Sequence, residues 1–238
     1  LFARNGRHII FTGRNTEAVE EAQLKYRKEF PSVQIDGYTI NSLNANGEVD
    51  EEGVKNLFAK LDKQGIVVDE LVLNAADQGL HMKIFENPIT DFIRVLNTNM
   101  VWNYCLIEQA ALRMKSSGGG SIVFVNSNTA YRAIPDRIAY VASKSGQLGM
   151  MRALALDLGK YRIRVNAVLP GMIRTDRWEK NPDFYNDVPS RYTPLGDVAD
   201  GEDVAYAVFY LSAYAKNTTG AELTVDGGNM IQLYPIIP

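Results

Sequence analysis

The chain has 238 residues, 46% hydrophobic and 22% charged, the composition of an ordinary globular protein and a length that fits one large α/β domain or two small ones. Lys and Arg number 25 against 28 Asp and Glu, so the net charge of −3 lacks the basic excess of a nucleic-acid surface, and no apolar run approaches the roughly 18–20 residues of a membrane span. A single cysteine, Cys105, excludes an internal disulfide framework, and only two histidines, His8 and His81, leave no basis for a zinc site, so no metal is expected. No targeting segment is visible, and a cytoplasmic location is expected.

Short β-rich runs alternate with helical patterns along the whole chain. Gly6 reads as a helix C-cap, followed by a strand over 8–12 (HIIFT). Residues 16–30 are charged and helical, 38–43 a weak strand, and 51–64 a helix with Val54, Leu57, Phe58 and Leu61 on one face. A short buried strand over 70–73 precedes a helical region within 90–116 that the pattern leaves open as one helix or two. Residues 121–125 (SIVFV) are almost wholly apolar, as a parallel strand buried on both faces requires. A long helix over 140–161, a strand over 163–169 ending at Pro170, a helix over 203–214 and a last strand over 222–225 complete the pattern. Such alternation predicts a doubly wound parallel sheet with helices on both faces.

Ligands of these sheets bind beyond the carboxyl ends of the strands. That directs attention to Gly13-Arg14, Asn74-Ala75-Ala76, Asn126-Ser127 and Pro170-Gly171. Tyr140 and Lys144 lie four residues apart, on one face of the long helix. A phenol titrates near 10 and is a poor base at neutral pH, and an adjacent ammonium favours the phenolate. Tuned toward the working pH, the phenol becomes a general acid or base. Ser127, thirteen residues before Tyr140, ends the SIVFV strand, where its hydroxyl can bond a substrate oxygen.

These markers, with Asn99 in VLNTNM, Pro170-Gly171 through Thr175, and Val225-Asp226-Gly227-Gly228, make a set that resembles the classical short-chain dehydrogenases/reductases over nearly the whole chain. The resemblance implies a single Rossmann-like domain over 1–238 and an oxidoreductase that moves a hydride between a nicotinamide cofactor and a secondary alcohol or ketone. Tyr140 would be the general acid/base, Ser127 would hold the reacting oxygen, and Lys144 would act on both Tyr140 and the nicotinamide ribose. Asn99 would hold a relay water. Asn74, Ala75 and Ala76 would meet the adenosine side, and Pro170, Gly171, Ile173 and Thr175 the nicotinamide side. Gly13 stands where NAD-preferring members carry Asp, and Arg14 follows it. A guanidinium matches a phosphate bidentately, so NADP(H) is expected over NAD(H). The other reading of Arg14 is a surface residue paired with Glu17 or Glu20. A homo-oligomer, tetramer or dimer, is expected through the helices around residues 98–113 and 141–161. The substrate lid falls at 176–193, where Trp178, Phe184, Tyr185 and Tyr192 favour an apolar small-molecule substrate. Arg132, Arg137 and Arg174 fall near the expected mouth.

One departure stands out. The family's glycine-rich phosphate loop, TGxxxGxG, is absent, and Gly118-Gly119-Gly120 precedes a strand instead of opening a helix. The resemblance therefore implies a chain that begins late in the family's first helix, with the first strand absent and about 20 family residues before it. It leaves a second reading open: a dinucleotide-binding or structural relative without turnover.

Overall fold

The computed structural model describes residues 1–79, 81–175, 180 and 188–235. A 3₁₀ turn, Ala3–Asn5, is closed by Gly6 in the left-handed region (φ 72°), as its sequence position predicts. In chain order there follow β1 (Ile9–Gly13), α1 (Thr16–Glu29), β2 (Ile35–Thr39), α2 (Glu51–Lys63), β3 (Glu70–Leu73), α3 (Ile89–Leu96), a π turn (Asn97–Val101), α4 (Trp102–Ser116), β4 (Gly120–Val125), α5 (Ile138–Gly159), β5 (Ile163–Pro170), α6 (Val188–Tyr192), α7 (Gly201–Phe209), a second π turn (Tyr210–Tyr214) and β6 (Glu222–Val225). Side-chain oxygens start the helices: Asn15 accepts from the Ala18 amide and Asp50 from the Gly53 amide, and Asp200 with Asp203 forms a capping box.

Two expectations need correction. The second strand lies at Ile35–Thr39 and not at 38–43, because its ladder with β1 begins at Ile9↔Ile35 and Ile35 is fully buried. The region 90–116 is two helices run together through a π turn centred on Asn99, so neither simple alternative describes it.

All strand pairs are parallel, in the orders β2-β1 and β3-β4-β5-β6. The two sheets share no ladder among the described residues. An ion pair, Arg7 to Glu70 at 3.1 Å, joins their amino ends, and Ile10 of β1 and Tyr38 of β2 pack against the core of the larger sheet. Val72 on β3 is exposed.

The larger sheet is covered on both sides. Ile122 and Phe124 of β4 face one side, where Val54, Phe58 and Leu61 of α2, Leu106, Ile107 and Met114 of α4, and Leu148 and Met151 of α5 close the main core. Val123 faces the other side, with Val168 of β5 and Ala207, Val208 and Leu211. The period of two along a strand produces this division, and it explains why SIVFV is apolar throughout. Gly118 (φ 95°) and Gly119 (φ 127°) form the turn into β4; a Cβ on Gly119 would stand 2.6 Å from the Arg162 carbonyl oxygen.

Phe124 is fully buried in β4, the strand that leads to Ser127. Phe124→Ala is expected to destabilise the fold by about 3–5 kcal/mol, through lost transfer energy and an unfilled cavity. A urea titration followed by circular dichroism checks this; a midpoint at the wild-type value would contradict the packing argument.

Candidate active site

Because β3, β4 and β5 run parallel, their carboxyl ends come to one edge, where Asn74-Ala75-Ala76, Asn126-Ser127 and Pro170-Gly171 sit side by side. Asn74, Ala75 and Ala76 are all exposed there. Gly171 approaches the β6 turn so closely that a Cβ would lie 2.6 Å from the Asp226 Cβ. Asp226 holds that turn by accepting from the amides of Gly228 (2.9 Å) and Met230 (2.7 Å). Ile173 forms a bridge with Ala199, and Thr175 is exposed.

Ser127 caps a 3₁₀ turn (Asn128–Ala130), accepting from the Thr129 amide at 3.2 Å, and its hydroxyl also bonds the Tyr140 phenol. Burial pushes the phenol of Tyr140 up, while the Ser127 hydrogen bond and the charge of Arg137 pull it down. Lys144 is 2% exposed, and burial lowers its ammonium to about 8. Its Nζ donates to the Val125 carbonyl (2.8 Å) and lies 5.6 Å from the Tyr140 ring centroid. Burial is thus the largest influence on both groups.

Asn99 is wholly buried. Its Nδ2 donates to the Asp77 carbonyl and to Ser143 Oγ, both at 2.9 Å, and its Oδ1 accepts from the Asp77 amide at 2.7 Å. Its carbonyl accepts from Asn103 Nδ2 (2.8 Å) and Gln147 Nε2 (2.7 Å). Ser143 in turn donates to the Tyr140 carbonyl at 2.7 Å. Sequence reasoning missed Gln147. Its only signal was one amide in an otherwise apolar and small-residue stretch of α5.

Gly13 and Arg14 line a second cavity of about 670 Å3 with Phe11, Thr12, Asn15, Ala18, Val19 and Asn41. No acidic side chain pairs with Arg14 among the described residues, so the ion pair with Glu17 or Glu20 does not form. A Cβ on Gly13 would meet Val19 Cγ2 at 2.6 Å, which explains the absence of a side chain there. Arg132 holds the carboxyl-terminal segment through the carbonyls of Asn229 and Gln232. Arg137 donates to the Gln78 carbonyl and Arg174 pairs with Asp197. Trp178, Phe184 and Tyr185 lie outside the described residues; Tyr192 ends α6, exposed.

A family pattern described as Enoyl-(Acyl carrier protein) reductase matches residues 1–229. The chain belongs to the classical short-chain dehydrogenases/reductases. It is 31% identical over 240 residues to an uncharacterized oxidoreductase of Thermotoga maritima, covering 98% of this chain and 90% of that one. It is also 31% identical over 238 residues to an L-rhamnose 1-dehydrogenase (NAD(P)(+)) of Azotobacter vinelandii, covering 97% and 90%. Among solved structures, a putative gluconate dehydrogenase of Agrobacterium tumefaciens superposes with a TM-score of 0.87 at 29% identity, over 97% of this chain and 89% of that one.

This short-chain dehydrogenase/reductase is an oxidoreductase by family. The residues present fit a nicotinamide dinucleotide at two places. The Arg14 cavity offers a guanidinium with no acidic partner among the described residues, and Gly171, where a Cβ would crowd Asp226, lies at the strand-end edge with Ser127. The glycine-rich pyrophosphate loop has no counterpart in the sequence.

Burying Lys144 costs stability wherever the ammonium is charged. Its folded value near 8 lies below the unfolded value, so the unfolded chain binds more protons between the two and stability rises with pH across that window. Lys144→Met is therefore expected to raise the thermal midpoint at pH 7 by a few degrees, a gain that shrinks as the pH approaches about 10. Scanning calorimetry of both proteins at the two pH values checks the sign; a variant less stable at pH 7 would contradict it.

Proposed function

We propose that the protein is an NADP(H)-dependent dehydrogenase/reductase acting on a secondary alcohol or ketone, with Tyr140 as general acid/base. The observation that carries this reading is the buried Ser127 at the tip of β4, in electrostatic contact with the Tyr140 phenol, with the buried Lys144 one helical turn away. The cofactor, when bound, supplies the hydride chemistry. Tyr140 exchanges a proton with the reacting oxygen, and Ser127 donates a hydrogen bond to that oxygen as its charge develops. Lys144 meets the nicotinamide ribose with the donors that Val125 leaves it. Pro170, Gly171, Ile173 and Thr175 shape the nicotinamide side, Asn74, Ala75 and Ala76 the adenosine side, and Arg14 reads the 2′-phosphate.

The protein acts in the cytoplasm as a homo-oligomer in this reading. No helix among the described residues is long and apolar enough to cross a membrane. Tyr104 and Leu112 on α4 and Leu156 on α5 are exposed apolar side chains that a second copy would cover.

Tyr140→Phe removes the exchangeable proton and keeps the ring. It is expected to lower kcat by about 10²–10⁴-fold, the range of a lost general acid, with NADPH affinity kept. The assay follows NADPH oxidation with a panel of ethyl acetoacetate, diacetyl and D-fructose. Full rate in Tyr140→Phe would defeat the mechanism. Because burial holds the phenol above its ordinary range, alcohol oxidation by the wild type should rise with pH from neutrality toward 10. A flat profile with chemistry rate-limiting would contradict this.

Arg14→Asp exchanges a phosphate partner for an acceptor of the ribose 2′-OH. The ratio of NADPH to NADH affinity, measured by fluorescence titration, should fall by more than about tenfold, the worth of one charge-assisted contact. An unchanged ratio would defeat the assignment of Arg14.

A further inference from the structure

The three segments that carry the proposed catalytic groups are the loop after β4, helix α5 and the π turn at Asn99. One side chain touches the other two from α5. Gln147 lies seven residues past Tyr140 and three past Lys144, on the same helix face. It is 1% exposed, on a helix whose Leu148 and Met151 belong to the main core. Its Nε2 donates to the Asn99 carbonyl at 2.7 Å, and its Oε1 accepts from Asn126 Nδ2 at 3.0 Å. Asn126 also donates to the Lys144 carbonyl (2.9 Å) and accepts from the Ser127 amide (2.8 Å). A chain of amides thus runs from the Ser127 backbone through Asn126 and Gln147 to Asn99.

We propose that Gln147 is a positioning residue, which sets the Ser127 loop against α5 and the turn at Asn99. The inference rests on the reading of Tyr140 and Ser127 given above. Its amide ties the Asn99 carbonyl to Asn126, whose own side chain holds the Ser127 amide and the Lys144 carbonyl. The Asn99 side chain is committed to Asp77 and Ser143. The three segments that carry Ser127, Lys144 and Asn99 are thereby fixed relative to one another.

An apolar side chain of the same length would pack in this environment, so the amide is not needed to fill space. What it adds is orientation. A displacement of about 1 Å between reacting groups can cost up to about 100-fold in rate.

Gln147→Met keeps length and helix propensity and removes both hydrogen bonds. With NADPH and whichever of ethyl acetoacetate, diacetyl and D-fructose the wild type reduces fastest, kcat is expected to fall about 10- to 100-fold. The carbonyl KM and the NADPH Kd should stay within about twofold, the signature of an effect on the reacting geometry rather than on binding. Adding Asn126→Ala to Gln147→Met should cost less than the sum of the two single losses, because the two residues share one hydrogen bond. A folded Gln147→Met with wild-type kcat, or with losses in KM and Kd that match the loss in kcat, overturns the proposal. Should Gln147→Met not fold, Asn126→Ala breaks the same bridge from the other side and is judged by the same split. Tyr140→Phe is assayed in parallel. If it turns over at full rate, the general-acid reading fails; if it is inactive while Gln147→Met is normal, only the role of Gln147 fails.

Discussion

A buried polar group must find a hydrogen-bond partner, and the site exists because this demand is met at the tip of β4. An unpaired buried donor or acceptor costs about 1–3 kcal/mol. Below the tip, Ile122, Val123 and Phe124 are fully buried, and Asn126, Ser127 and Asn128 follow without leaving the interior. Their partners come from α5, from β5 and from the carboxyl-terminal turn: Asn126 to Lys144 and Gln147, the Asn126 amide to Val168, Asn128 to Asn229. The apolar strand sets the position and the amides set the orientation.

The same burial divides the labour between Tyr140 and Lys144. Desolvation disfavours both charged forms, raising the phenol above its ordinary value and lowering the ammonium to about 8. The neutral form of each group is favoured, and burying the lysine costs stability wherever it is charged.

Much of the fold was legible in the sequence. SIVFV reads as a strand buried on both faces, Gly118-Gly119 as a turn, and the Tyr140–Lys144 spacing as one helix face, since each depends on neighbours a few residues apart. The start of β2 was not legible, because Ile35 is placed by its partner Ile9 across the sheet. Nor was the π turn at Asn99, which forms where α3 and α4 join.

Sequence by itself determined the alternation of strands and helices, the chemical identity of the residues at the strand ends, and the family. All of these follow from local periodicity and from residue types at fixed spacing. Only the tertiary structure decided that β2 starts at Ile35 beside Ile9, that burial raises the phenol of Tyr140 and lowers the ammonium of Lys144, and that Gln147 joins Asn99 to Asn126. Those outcomes depend on groups far apart in the chain and on how much water remains between them. Spacing along a sequence carries neither.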